Sequence, residues 1–82
     1  MITSAQIRAA RALLDWSREQ LSIASGVGIS ALMRLESSNG VPSGNIKTFE
    51  SVQKAFETVG VEFIGTPESG AGVRWRPSRS SI

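Results

Sequence analysis

A turn of only four residues, SGVG at 25–28, separates two short stretches of helical periodicity. Gly26 permits the left-handed backbone conformation that a sharp turn needs, and the side chain of Val27 can fill the space between the two helices. Because the linker is so short, the two helices must pack against each other. This spacing is typical of a helix-turn-helix.

The helix before the turn has a recognisable beginning and end. Ser17 and Gln20 form a capping box, in which a hydroxyl and an amide satisfy backbone N–H groups at the start of a helix. Leu21 and Ala24 then form the predicted apolar stripe, and Gly26 is a residue with which helices commonly end. We therefore expect a short helix between Ser17 and Gly26.

The helix after the turn is predicted to run from about Ile29 to Ser37. Leu32 and Leu35 are expected to face the core, and this orientation turns the opposite side of the helix outward. The outward side chains are then Ile29, Ser30, Met33, Arg34 and Ser37.

Two further helices flank this pair. Thr3 and Gln6 repeat the capping box near the start of the chain. The apolar positions that follow on one face are Ile7, Ala10 and Leu14. The segment 37–47 contains Asn, Gly and Pro and is expected to be a loop with room for one helical turn. Thr48 is expected to cap a fourth helix, which Gly60 terminates. Its apolar face comprises Phe49, Val52, Phe56 and Val59.

After the fourth helix the pattern changes to the period of a β-strand. The segments VEFIG (61–65) and GVRWR (72–76) are short and β-prone, and the residues between them favour a turn. A β-hairpin is therefore predicted over 61–76, with a disordered tail at 77–82. The expected fold class is mainly α with a C-terminal β-hairpin.

The composition excludes several classes of function. The 82 residues include neither Cys nor His, which removes disulfides, ordinary zinc sites and catalysis by thiolate or imidazole. The acidic residues are scattered, with no pair spaced for acid–base work, so we predict no enzyme, no metal and no cofactor. No apolar run is long enough for a membrane span or a signal segment, so a cytoplasmic protein is expected.

The segment LLDWSREQLSIASGVGISALMRLESSNGVPS (13–43) resembles the phage-repressor helix-turn-helix family, also called XRE or lambda-repressor-like. The similarity covers about residues 4–60. The positions in register are Ser17, Leu21, Ala24, Gly26, Val27, Leu32, Leu35 and Glu36. The resemblance implies a compact bundle of four or five helices over 1–60 that binds double-stranded operator DNA as a transcriptional regulator. It also implies a structural ion pair between Arg11 and Glu36, which would orient the third helix against the first.

The outward face of the third helix departs from the family pattern, because it lacks most of the polar residues that are common there. Arg34 can bind guanine O6 and N7 with two hydrogen bonds. Ile29 can press on a thymine methyl, and Ser30 can meet several base edges. We therefore predict DNA base contacts from Ile29, Ser30, Met33 and Arg34. As alternatives, Arg34 pairs with a nearby acid, and Ile29 and Met33 pack partly buried or contact a protein.

Backbone phosphates are expected to supply most of the affinity. Arg18 stands where the family commonly has Gln, and a cation reaches a phosphate at least as well as an amide does. Two helix N-termini can also direct backbone N–H groups at the DNA. The predicted phosphate contacts are Ser17, Arg18, Gly28, Ser37, Asn39, Asn45 and Lys47. For Asn45 and Lys47 an ordinary solvated surface position is the alternative.

The hairpin is a candidate dimerisation element, because its apolar residues exceed what one small domain is expected to cover. These residues are Val61, Phe63, Val73 and Trp75. A homodimer joined there would place two recognition helices about 34 Å apart, one turn of DNA. The expected function is sequence-specific DNA binding by a small dimeric transcriptional regulator. Two alternatives stay open: an antitoxin that represses its own promoter, and an adaptor of this fold that binds a protein partner rather than DNA.

Overall fold

The computed structural model describes residues 2–38 and 45–77, which form four helices and a two-stranded antiparallel hairpin. The helices are α1 (Ser4–Leu14), α2 (Arg18–Ser25), α3 (Ile29–Ser37) and α4 (Ile46–Thr58), and the strands are β1 (Val61–Thr66) and β2 (Ser69–Trp75). The prediction of a mainly helical domain with a C-terminal hairpin is confirmed. Within these ranges, no helix is both long and apolar enough to span a bilayer.

Local side-chain hydrogen bonds begin α1 and α2 at the predicted residues. The Gln6 N–H donates to Thr3 Oγ1 at 3.1 Å, and the Thr3 N–H donates to Gln6 Oε1 at 2.8 Å. Ser17 and Gln20 make the same two bonds, at 3.1 and 2.8 Å, at the start of α2. Both capping boxes are therefore present, and each satisfies two backbone N–H groups that a helix start leaves free.

The fourth helix begins earlier than the sequence predicts. Asn45 is its N-cap, and Asn45 Oδ1 accepts a hydrogen bond from the Lys47 N–H at 2.8 Å. Thr48, the predicted cap, lies inside the first turn of the helix and is half-buried. The predicted start was wrong because Asn and Thr are both favourable caps, and the sequence alone does not select between them.

Phe56 of α4 is fully buried and links two distant parts of the chain. Its ring stacks on Trp16 at a centroid distance of 5.8 Å and meets Phe63 edge-on at 5.9 Å. The other buried apolar residues come from all four helices, β1 and the flanking segments: Ile2, Ile7, Ala10, Leu21, Val27, Leu32, Leu35, Phe49, Val52, Ala55 and Val61. Ala24 is exposed, contrary to prediction, because it lies at the open rim of the contact between α2 and α4.

The hairpin is joined to α1 by Gln6, the residue that also completes the capping box of α1. Gln6 is buried, and its Nε2 donates to the carbonyl oxygens of Ile64 at 3.2 Å and Gly72 at 2.9 Å. Ile64 and Gly72 face each other across the two strands, so one amide holds both strands against the helix. Of the predicted tail 77–82, all but Pro77 lies outside the described residues.

Candidate nucleic-acid interface

The turn between α2 and α3 is held by side-chain hydrogen bonds at both ends. Gly26 ends α2 in the left-handed conformation, with φ of 74°. The Ser22 hydroxyl donates to the Val27 carbonyl at 2.6 Å, and the Val27 N–H donates to Ser25 Oγ at 3.2 Å. Val27 itself is buried between the helices. The start of α3 is thereby fixed relative to α2.

The inward and outward sides of α3 lie as the spacing predicts. Leu32 and Leu35 are buried in the core. The five residues predicted to face outward are all exposed, namely Ile29, Ser30, Met33, Arg34 and Ser37. The Ser37 hydroxyl donates to the Arg34 carbonyl at 3.2 Å. The candidate base-contacting residues therefore share one accessible face of a helix.

The exposed face of α3 is neither neutralised nor covered by the described parts of the chain. Arg34 forms no ion pair within residues 2–38 and 45–77, so the alternative in which it pairs with a nearby acid has no partner there. Ile29 is 36% exposed and Met33 is 50% exposed, so each side chain is partly covered by its own chain and partly open to solvent. The apolar part of the face is available to a binding partner.

A buried carboxylate, Glu36, connects α1, α2 and α3. Its side chain is 1% exposed, and Arg11 of α1 binds it through Nε and Nη2, both at 2.8 Å. Arg18 of α2 adds a third bond from its Nε to Glu36 Oε1 at 3.2 Å. Arg11 Nη1 also donates to the Trp16 carbonyl at 2.9 Å. The pair that the family resemblance implies is therefore present, and it belongs to a larger network.

Two further contacts from α1 fix the end of α3. The Ser4 hydroxyl donates to the Leu35 carbonyl, and Arg8 Nη1 donates to the Glu36 carbonyl. A helix end leaves its last carbonyl groups without intrahelical partners, and α1 supplies two of the donors. No local pattern in the sequence indicates these contacts, because the donors lie far from the acceptors along the chain.

Both predicted phosphate contacts at the start of α2 use some of their polar atoms in bonds within the chain. Ser17 uses its Oγ and its N–H in the capping box with Gln20, which leaves only the hydroxyl hydrogen to donate elsewhere. Arg18 uses Nε on Glu36, while its side chain remains 40% exposed. The Nη atoms of Arg18 therefore keep the capacity to bind an anion.

Three of the other predicted phosphate contacts lie at the starts of α3 and α4, and Ser37 is exposed at the end of α3. Gly28 is the exposed N-cap of α3, where no side chain caps the helix, so the first N–H groups of α3 can donate to an external acceptor. Asn45 uses its Oδ1 as the cap of α4, and Lys47 is exposed. Asn39 lies outside the described residues.

The hairpin residues predicted to form a dimer interface do not share one environment. Val61 is buried in the core of its own chain, so it has no surface for a partner, and its assignment to an interface was wrong. Phe63 and Val73 are half-buried against the same core. Trp75 is 44% exposed. Of the four residues, Val61, Phe63 and Val73 therefore pack within their own domain, and Trp75 is the most exposed.

The charges of α3 itself favour an anionic partner. Between Gln20 and Phe49 the sequence has a single carboxylate, Glu36, which is buried and shared by two arginines. The cations of the same segment, Arg34 and Lys47, are both exposed. Comparison of the chain with known protein-family models and with curated proteins gives no match.

Proposed function

We propose that this chain is a small dimeric transcriptional regulator of the lambda-repressor-like type, which acts in the cytoplasm and binds double-stranded DNA. Recognition helix α3 enters the major groove, whose width admits an α-helix. The observation that carries the proposal is the exposed side of α3 opposite Leu32 and Leu35, on which Arg34 and three further candidate base contacts lie together.

The electrostatics of this surface supports the same function. A phosphate that approaches α3 meets exposed Arg34, while Glu36, the carboxylate of this helix, is buried and paired with two arginines. Phosphate contacts give protein–DNA complexes most of their non-specific affinity and fix the register of the protein on the duplex. The chain therefore needs only a modest net charge, +2, provided that its cations lie on one side.

Salt dependence tests this proposal. We expect the wild-type protein to bind a fluorescein-labelled duplex of about 24 base pairs. The affinity should fall on the order of 10³-fold between 50 and 200 mM salt if each half-site uses three or four phosphates. Lys47→Gln should reduce the log–log salt slope by about 0.9 for each phosphate that the variant no longer neutralises. Fluorescence anisotropy measures both quantities.

Lys54→Gln is the matched control for this experiment. Lys54 is also an exposed lysine of α4, but it lies two turns further along the helix, so its removal should leave the salt slope unchanged. Absence of binding at 50 mM salt would contradict the proposed function. Equal slopes for the Lys47 and Lys54 variants would contradict the assignment of a phosphate contact to the start of α4.

The proposed dimer forms through the hairpin. Trp75 has the largest exposed fraction among the four predicted interface residues, and a C2 dimer presents the same surface twice. We expect the wild-type protein to sediment at twice the chain mass of 8.8 kDa, and Trp75→Ala to shift the mass toward one chain. Arg74→Ala, on the opposite face of β2, should leave the dimer intact. A dimeric Trp75→Ala would exclude this interface.

A protein-binding adaptor is the second candidate function. The exposure of the apolar side chains Ile29 and Met33 is the specific observation in its favour, since aliphatic and Met side chains also form protein interfaces. An adaptor would bind no duplex at 50 mM salt, so the anisotropy experiment distinguishes the two functions directly.

A further inference from the structure

The exposed face of α3 combines two apolar side chains with one guanidinium and no amide. Ile29 and Met33 lie four residues apart, so they are neighbours on one side of the helix, and they are 36% and 50% exposed. Ser30 and Arg34 are the polar residues on the same two turns of α3. Such a face can make few directional hydrogen bonds to base edges.

Ile29 and Met33 do not serve the core of this chain. Leu32 and Leu35 fill the inward side of α3 and are buried. The exposed apolar surface of Ile29 and Met33 is in contact with water, and its burial against another apolar group would be favourable. In the major groove of DNA, the apolar group displayed on a base edge is the C5-methyl of thymine.

We propose that α3 recognises its DNA mainly through thymine methyl groups, with Ile29 and Met33 each contacting one methyl and Arg34 supplying a directional contact to a guanine. This inference rests on the proposed function and specifies the sequences that the protein selects. Shape and apolar contact, rather than a set of amide hydrogen bonds, would then discriminate between base pairs.

Duplex DNA fits this face better than an apolar protein groove does, because of the charges that surround it. Arg34 lies one residue from Met33 on the exposed side, and Gly28 leaves the first N–H groups of α3 uncapped by a side chain. Glu36 is buried and paired with two arginines. The apolar pair is therefore flanked by cationic and N–H donor groups, as contact with a base edge between phosphates requires.

The geometry of the helix sets the spacing of the methyl groups. Four residues of α-helix rise about 6 Å, and base pairs in a duplex are about 3.4 Å apart. If α3 follows the groove, Ile29 and Met33 meet thymines about two base steps apart. Each half-site is therefore expected to contain two thymines at that spacing, with a guanine within reach of Arg34.

Selection from a random-sequence duplex library, with the purified wild-type protein at 50 mM salt, tests this inference. The selected half-sites should contain the two thymines and the guanine. Each thymine of a selected duplex is then replaced in turn by uracil, which removes the methyl group and keeps the base pair. We expect two positions in each half-site at which uracil weakens binding by about fourfold, the effect of returning one methyl-sized group to water.

Side-chain variants assign each methyl to its residue. Ile29→Ala should abolish the uracil effect at one position, and Met33→Ala at the other. Ile23→Ala removes an even more exposed aliphatic side chain, at 84% exposure, from α2 rather than α3, and it should preserve both uracil effects. A duplex insensitive to uracil, or an Ile29→Ala/Met33→Ala protein as sensitive as wild type, would overturn methyl recognition. Failure to bind any duplex would instead overturn the proposed function.

Discussion

Replacing Glu36 by alanine is expected to lower the free energy of unfolding by about 3 kcal/mol. Removal of one partner from a buried ion pair costs about 3–5 kcal/mol, and we expect the lower end because Arg11 is 21% exposed and Arg18 is 40% exposed. Both guanidinium groups can therefore turn toward water. In a domain of this size the melting temperature should fall by about 12–24 °C. Thermal unfolding followed by circular dichroism measures the change.

Two further variants distinguish the loss of the Glu36 ion pairs from the general effect of removing a carboxylate. Glu50→Ala removes an exposed carboxylate of α4 and should change stability by less than about 0.5 kcal/mol. The double variant Arg11→Met/Glu36→Leu replaces the less exposed pair by apolar side chains and should be more stable than Glu36→Ala, because only Arg18, which is 40% exposed, is left without its carboxylate. If Glu36→Ala had the same melting temperature as the wild-type protein, the network would not stabilise the fold.

Replacing Arg34 by alanine is expected to remove discrimination at one guanine position in each half-site while leaving the fold intact. The side chain is exposed and makes no ion pair within the described ranges, so stability should change by less than about 0.5 kcal/mol. Removal of a bidentate hydrogen-bonded pair with guanine costs about 1–3 kcal/mol for each half-site. A dimer should therefore lose roughly 30-fold or more in affinity for a selected duplex.

The interpretation of Arg34 as a base-contacting residue requires controls that separate charge from geometry. Lys54→Ala removes one exposed cation from α4 and should weaken binding only slightly. Arg34→Lys retains the charge of α3 but lacks the two-pronged geometry, so it should lose discrimination at the guanine position almost as fully as Arg34→Ala. Anisotropy on the selected duplex and on one with the guanine replaced measures both effects. If Lys54→Ala and Arg34→Ala behaved alike, Arg34 would contribute only charge.

The features that the sequence predicts well are those determined by neighbouring residues. The two capping boxes join residues three positions apart, and Gly26 ends α2 through its own backbone preference. The outward side of α3 follows from helical spacing and the two leucines. The start of α4 is the local exception, because Asn45 and Thr48 are both acceptable caps.

The features that the sequence does not predict join residues distant along the chain. Arg18 binds Glu36 across the turn, and Arg8 binds the carbonyl of the same residue from α1. No spacing rule relates these positions, since only the packing of three helices brings them together. The same is true of Val61, whose apolar character predicts burial but does not reveal whether its own core or a partner buries it.

The double role of Gln6 limits how this molecule can be dissected. Shortening the chain to isolate the four helices would deprive a buried amide of both its acceptors, Ile64 and Gly72, and would leave the ring of Phe56 open where Phe63 now covers it. Helices and strands should therefore melt together in one cooperative transition. A monomeric variant therefore has to be made by substituting individual exposed side chains of the hairpin. Truncation of the hairpin would unfold the four helices that it was intended to preserve.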